Sequence, residues 1–196
     1  MEAKKSAYIT GGAGGLGRAL AARLVEQGMN VFIADRDAAG AAAAAKELGG
    51  YSAALDATSW ESQSLAFQQA VDRFGRIDYV FPFAGIGENA WTPSPSQAGD
   101  KTQPFTKPNL TVIDINVNGV LYTSSIAVQQ FRRQTPDEQG FRGKGKPSRS
   151  NLNTAGLRQE NHPSYKFILT LFKPSHHRRV ILWSLLLPWL TNLHHI

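Results

Sequence analysis

Short apolar runs alternate with amphipathic stretches over roughly the first two thirds of the chain, and this rhythm predicts the elements. The run Ser6–Thr10 reads as a strand and meets a glycine cluster at once, Gly11-Gly12-Ala13-Gly14-Gly15-Leu16-Gly17. Leu16, Leu20 and Leu24 then recur at helical spacing, and Gly28 is placed to end that helix. Residues 31–34 form an apolar run ending at Asp35, the pattern of a strand buried on both faces. The alanine-rich stretch Ala38–Leu48 has high helix propensity and closes on Gly49-Gly50. Residues 52–55 make a third strand leading to Asp56. Thr58-Ser59-Trp60-Glu61 then fits a capping box for a helix running through Leu65, Phe67, Ala70, Val71 and Phe74. A fourth strand spans 77–83. A loop rich in proline and polar residues over 86–109 precedes a helix over 110–134 with Leu110, Ile113, Val117, Leu121, Val128 and Phe131 on one side. The alternation predicts an α/β fold with a doubly wound parallel sheet, and right-handed crossovers favour the strand order 3-2-1-4. A sheet stopping there would be incomplete on its C-terminal side, with an uncovered edge that invites self-association.

Composition changes this picture after residue 140. Residues 1–140 hold 12 Lys+Arg against 14 Asp+Glu, whereas 141–196 hold 9 against the single acid Glu160. All five histidines lie in the second segment, and 23 alanines precede position 141 while only Ala155 follows it. The chain therefore divides into a first unit over 1–140 and a basic irregular tail over 141–196. Glycines and a proline among Arg142, Lys144, Lys146 and Arg149 predict a mobile basic linker over 140–150, a solvated loop rather than a specific nucleic-acid site. The adjacent pairs His176-His177 and His194-His195 lack the spacing of metal ligands, so no metal is expected. The apolar run 180–190 is too short to span a bilayer, and nowhere do 18 apolar residues stand together. The chain has no cysteine, which excludes disulfides and thiolate chemistry. The opening Met1-Glu2-Ala3-Lys4-Lys5 has no apolar leader, so a cytoplasmic location is the expectation.

The chemistry begins at the glycine cluster, which follows a strand and opens a helix. Gly11, Gly15 and Gly17 allow a tight turn and a close approach of backbone to phosphate, while the helix offers unpaired N–H groups and a positive dipole end. Asp35 ends the second strand 18 residues after Gly17, where a carboxylate takes both ribose hydroxyls of a dinucleotide. The same carboxylate repels a 2′-phosphate, so NAD is favoured over NADP. Arg36 beside it softens that preference or stands as a solvated charge at the helix start.

The residues now resemble a known family, the short-chain dehydrogenases/reductases, and with it a Rossmann-type nucleotide-binding fold. Thr10 through Gly17, including Leu16, matches the family's T-G-x-x-x-G-x-G loop. Asp56-Ala57-Thr58 resembles the acidic position set against the adenine ring. Residues 77–85 are similar to the strand ending in N-N-A-G: Ala84 and Gly85 keep the small residues beside the cofactor, while Pro82 and Phe83 replace the asparagines. Asn116-Val117-Asn118-Gly119 is similar to the N-x-x-G segment, and the resemblance gives Asn116 the place of the asparagine that bends the helix and holds a water in a proton relay. It implies an oxidoreductase moving hydride between nicotinamide and a small alcohol or ketone. In the family a tyrosine and a lysine four residues later transfer the proton, and here no tyrosine has lysine at that spacing. Tyr165-Lys166 would stand about 100° apart on a helix, on different faces. The run 179–184 only weakly resembles the family's fifth strand, with Ser184 in the place of its serine. The expectation is a chain that binds a dinucleotide with little or no ordinary turnover. The alternatives are a catalytically silent dinucleotide-binding or dimerising protein and, third, a nucleic-acid or lipid binder acting through the basic tail.

Overall fold

A computed structural model describes residues 4–87, 102, 104–145, 161–162 and 165–167. Strands β1 (Ser6–Thr10), β2 (Asn30–Asp35), β3 (Tyr51–Ala54) and β4 (Tyr79–Pro82) alternate with helices α1 (Gly15–Glu26), α2 (Ala38–Leu48) and α3 (Trp60–Phe74). A further rod starts as α4 (Thr111–Ile113), widens into a π-helix over Asp114–Gly119 and continues as α5 (Val120–Arg133). Three short strands follow, β5 (Gly143–Gly145), β6 (Asn161–His162) and β7 (Tyr165–Phe167). The sheet order is β3-β2-β1-β4-β5-β7-β6, so the expected 3-2-1-4 arrangement forms its first half. All neighbours are parallel except β6 and β7.

Alternation along the buried strands divides the core between two faces. Ala7 and Ile9 of β1 with Val31 and Ile33 of β2 face Ala21 and Leu24 of α1 and Ala41, Ala44 and Ala45 of α2. Tyr8, Phe32 and Ala34 point the other way, onto Ala66, Phe67 and Ala70 of α3 and Ala127 and Phe131 of α5. Small residues on the helices let them approach the sheet closely, and the aromatic side chains of the strands fill the space between.

The buried faces of the helices differ from those the apolar spacing predicts. In α1 the buried stripe is Gly17, Ala21 and Leu24, while Leu16 is exposed; in α3 Leu65 is exposed and Gln63 is buried. The N-cap of α3 is Ser59, whose hydroxyl accepts from the Ser62 N–H, in place of a Thr58–Glu61 box. On the last rod Leu110, Ile113 and Leu121 are exposed, and Asn116, Gly119, Thr123, Ala127 and Phe131 face inward. The π-turn inserts one residue into the helical period and so shifts the inward face.

The sheet also does not stop at β4. Lys144 pairs with Tyr79 and Gly145 with Val80, so residues 143–145 of the expected linker are a strand covering the β4 edge. Tyr165 and Lys166 belong to β7, paired with Gly143 and Lys144, so helical spacing does not apply to them. Residues 146–150, the run 179–184, the apolar run 180–190 and the histidine pairs 176–177 and 194–195 lie outside the described residues.

Candidate dinucleotide site

Every candidate residue falls at the C-terminal ends of β1 to β4 or on the π-turn beside them. β1 and β4 are neighbours, and the chain proceeds outward from β1 to β3 on one side and to β4 on the other, so a crevice opens at this switch point. Thr10 ends β1 and is buried. Its carbonyl accepts from the Phe83 N–H at 3.1 Å and its hydroxyl from the Ala84 N–H at 3.1 Å, which ties the glycine loop to the end of β4.

The loop then depends on missing side chains. Gly11 has φ 73°, and a Cβ there would lie 2.7 Å from the backbone of Ala84. A Cβ at Gly17 would lie 2.1 Å from the Gly11 carbonyl oxygen, so α1 begins directly on the turn. Gly15 has φ 54° and nothing within 4 Å of its Cβ position, so the backbone faces open space. The N-cap of α1, Gly14, offers no side chain to the first N–H groups of the helix. An uncapped N-terminus beside an open glycine backbone has the donors and dipole that suit a pyrophosphate.

Asp35 closes β2 and reaches into the loop: Oδ2 accepts from the Ala13 N–H at 2.9 Å and Oδ1 from the Asp37 N–H at 3.0 Å. The carboxylate thus braces the glycine loop, which the sequence did not reveal. Arg36 beside it is exposed. At the end of β3, Asp56 Oδ1 accepts from the Thr58 hydroxyl at 2.7 Å and the Thr58 N–H at 2.9 Å. Those bonds, hydroxyl first, hold the carboxyl below the usual carboxylate range against some desolvation, with Arg36 adding to the effect.

Asn116 sits in the π-helix with its side-chain amide on the backbone of Ile86, Oδ1 accepting from the N–H at 2.9 Å and Nδ2 donating to the carbonyl at 3.0 Å. It lies over Gly85, where a Cβ would come within 3.1 Å of Asn116 Oδ1. Ile86 and Gln63 were missed at the sequence level; a buried polar residue at helical core spacing is the signal that could have found Gln63.

The described tyrosine side chains do other work. Tyr8 packs between Phe32 and Phe67, and burial pushes its phenol far above the ordinary range. Tyr79 stacks on Phe81, which in turn meets Phe83 edge-on. Tyr51 lies under Arg73, and Tyr122 meets Trp60. Among the described residues no cluster of three or more His, Asp or Glu could hold a metal ion.

Residues 5–138 match the family model described as short chain dehydrogenase. The chain is 34% identical over 140 residues to the human 3-hydroxyacyl-CoA dehydrogenase type-2, covering 70% of this chain and 52% of that protein. It is 31% identical over 136 residues to a short-chain dehydrogenase/reductase of Acremonium egyptiacum, covering 69% and 45%. Among solved structures it resembles a 3-ketoacyl-(acyl-carrier-protein) reductase from Brucella melitensis complexed with NADH, with TM-score 0.61, 26% identity and coverage of 74% and 57%. The chain spans about half the length of the curated relatives it matches.

Proposed function

Given that this chain belongs to the short-chain dehydrogenase family, we propose that its crevice holds NAD in preference to NADP, in the manner of an oxidoreductase acting on an alcohol/carbonyl pair. The observation that carries the reading is the pairing of Gly17 against the Gly11 carbonyl with the Asp35 carboxylate on the Ala13 N–H. That arrangement puts helix donors and an acid side by side at the switch point, and the residues fit the group. Gly11, Gly15 and Gly17 with the first turn of α1 would hold the pyrophosphate, Asp35 the ribose, and Asp56 the adenine side. Ala84, Gly85 and Asn116 would border the nicotinamide. Bound there, the nicotinamide supplies a centre that gives or takes hydride.

The chain's own contribution to proton transfer is the weaker part. Asn116 is engaged with Ile86, and no tyrosine in the sequence has a lysine four residues on. A positioned acid–base is typically worth about 10²–10⁴ in rate. These 196 residues are therefore read as the cofactor-holding part of an oxidoreductase, with turnover lowered by that factor. The missing pair favours one second reading, a catalytically silent dinucleotide-binding protein. Self-association loses the ground of a bare β4 edge, and the exposed Trp60, Leu65 and Leu121 are what still favour it. We assign the protein to the cytoplasm; no described helix is long and apolar enough to cross a membrane.

NADH fluorescence titration followed by a screen of small ketones and alcohols tests the proposal. Saturable binding with little or no turnover is expected. No NADH binding would overturn the cofactor assignment, and brisk turnover abolished by Tyr165→Phe would overturn the account of the proton relay.

A further inference from the structure

Gln63 lies in the first turns of α3, 1% exposed, with its whole amide engaged. Nε2 donates to the Ala57 carbonyl at 2.7 Å and the Gly119 carbonyl at 2.9 Å, and Oε1 accepts from the Thr123 hydroxyl at 2.5 Å. Two carbonyls meet at one atom, so the amide has only one tolerable orientation, nitrogen toward them. Burying such a group costs desolvation that an apolar side chain would not incur, and its return is geometric definition.

The two carbonyls belong to two parts of the site that are far apart in sequence. Ala57 stands between Asp56 and Thr58, whose mutual hydrogen bonds form the turn after β3. Gly119 closes the π-turn that carries Asn116, and it rests on Ala57 so tightly that a Cβ would lie 3.0 Å from the Ala57 oxygen. A π-turn is a widened and uncommon form of helix, found mostly as a single turn within an α-helix.

We propose that Gln63 is a positioning residue that couples the Asp56 turn to the π-turn, so that order at one end of the crevice holds Asn116 on Ile86 at the other. This rests on the reading of the crevice as a dinucleotide site. Without the Gln63 amide the Ala57 and Gly119 carbonyls both lose this donor, and the Thr123 hydroxyl, freed from Gln63 Oε1, can turn only to Gly119. The turn is then free to rewind by one residue, which swings Asn116 about 100° off Ile86.

The test is amide hydrogen exchange on the full chain, alone and with NADH or ADP-ribose, in the wild type, Gln63→Met, Thr123→Val, Asn116→Ala and the Gln63→Met/Asn116→Ala double variant. Gln63→Met is expected to speed exchange at the Ile86 N–H about tenfold while the β1 amides stay protected, a local opening rather than global loss. The double variant is expected to exchange there no faster than Asn116→Ala alone, because both act through one contact. ADP-ribose, which lacks nicotinamide, is expected to slow Ile86 exchange in the wild type and not in Gln63→Met. Unchanged exchange at Ile86, a rise matched by the β1 amides, or additive effects in the double variant would each overturn the coupling. If Gln63→Met does not fold, Thr123→Val removes one hydroxyl only and is expected to give the same local change at about threefold; no change at Ile86 would overturn the proposal. Failure of both nucleotides to bind the wild type would overturn the dinucleotide reading, and the ligand-free comparison would still decide the role of Gln63.

Discussion

β4 has two parallel neighbours, and they are held to it by different means. β1 meets it over four residue pairs, Ala7 to Thr10 against Tyr79 to Pro82, with buried side chains on both faces. β5 meets it over two, through a Gly-Lys-Gly strand that brings almost no apolar surface. What holds β5 is backbone and polar anchoring: Lys144 N–H donates to the Asp78 carbonyl at 2.7 Å, and Gln134 bridges Ile77 to the Arg142 carbonyl. Asp137 organises the turn before it, accepting from Lys5 at 2.9 Å and from the N–H groups of Phe141 and Gln139. Pro82 has no N–H to extend the β4 ladder. One flank is stabilised mainly by apolar burial and the other mainly by hydrogen bonds.

Phe131 is where the two flanks meet, and it gives the largest expected effect. It is fully buried among Tyr8 and Val80, and its ring fills the place where a Gly143 Cβ would go, 2.2 Å from Cδ1. Phe131→Ala is expected to cost about 3–5 kcal/mol by denaturant unfolding, because it opens the core and removes the seat of β5 together. Gly143→Ala should cost about 1–3 kcal/mol by overpacking against that ring. Its mark is selective: faster exchange at the Lys144 N–H with β1 amides unaffected. Equal loosening of β1 would show that the flanks are one cooperative unit.

Smaller effects come from pH. Burial works against the Asp137 carboxylate, yet the Lys5 ammonium and the Phe141 and Gln139 N–H groups hold it below the ordinary carboxylate range. Its contribution is present above the unfolded value of about 3.9 and is lost as pH falls through the lower folded value, so β5 should loosen on the acid side. Tyr79 is pushed up to about 12, by burial first and then by Asp78 and Asp137. Its contribution is complete below about 10 and is lost as pH rises toward and through the folded value. Thermal unfolding across pH checks both limits, and Asp137→Asn should flatten the acid one.

The same contrast explains what could be read from the sequence. β1 to β4 and the glycine loop were legible because burial and close approach leave marks in residue type: apolar runs, and glycine where a Cβ would strike backbone. Asp35 and Asn116 were legible through their places in a family pattern. β5 was not, since Gly-Lys-Gly has the composition of a linker and becomes a strand only when the β4 edge and the Phe131 ring are present. The inward face of the last rod was misjudged because a π-turn shifts helical register without any local apolar signal. Ile86 enters the site through its backbone, which sequence does not display.

If the cofactor reading is right, the flank built on β1 and β2 holds NAD through the glycine loop and Asp35. Calorimetric titration of NADH and NADPH into the wild type and Asp35→Ala is the decisive measurement. The wild type is expected to bind NADH at least about tenfold more tightly than NADPH, a difference of about 1.4 kcal/mol. Asp35→Ala should weaken NADH, since the Ala13 N–H loses its acceptor, and should narrow the gap between the two nucleotides. Equal or tighter NADPH binding by the wild type, or a preference untouched by Asp35→Ala, would contradict it.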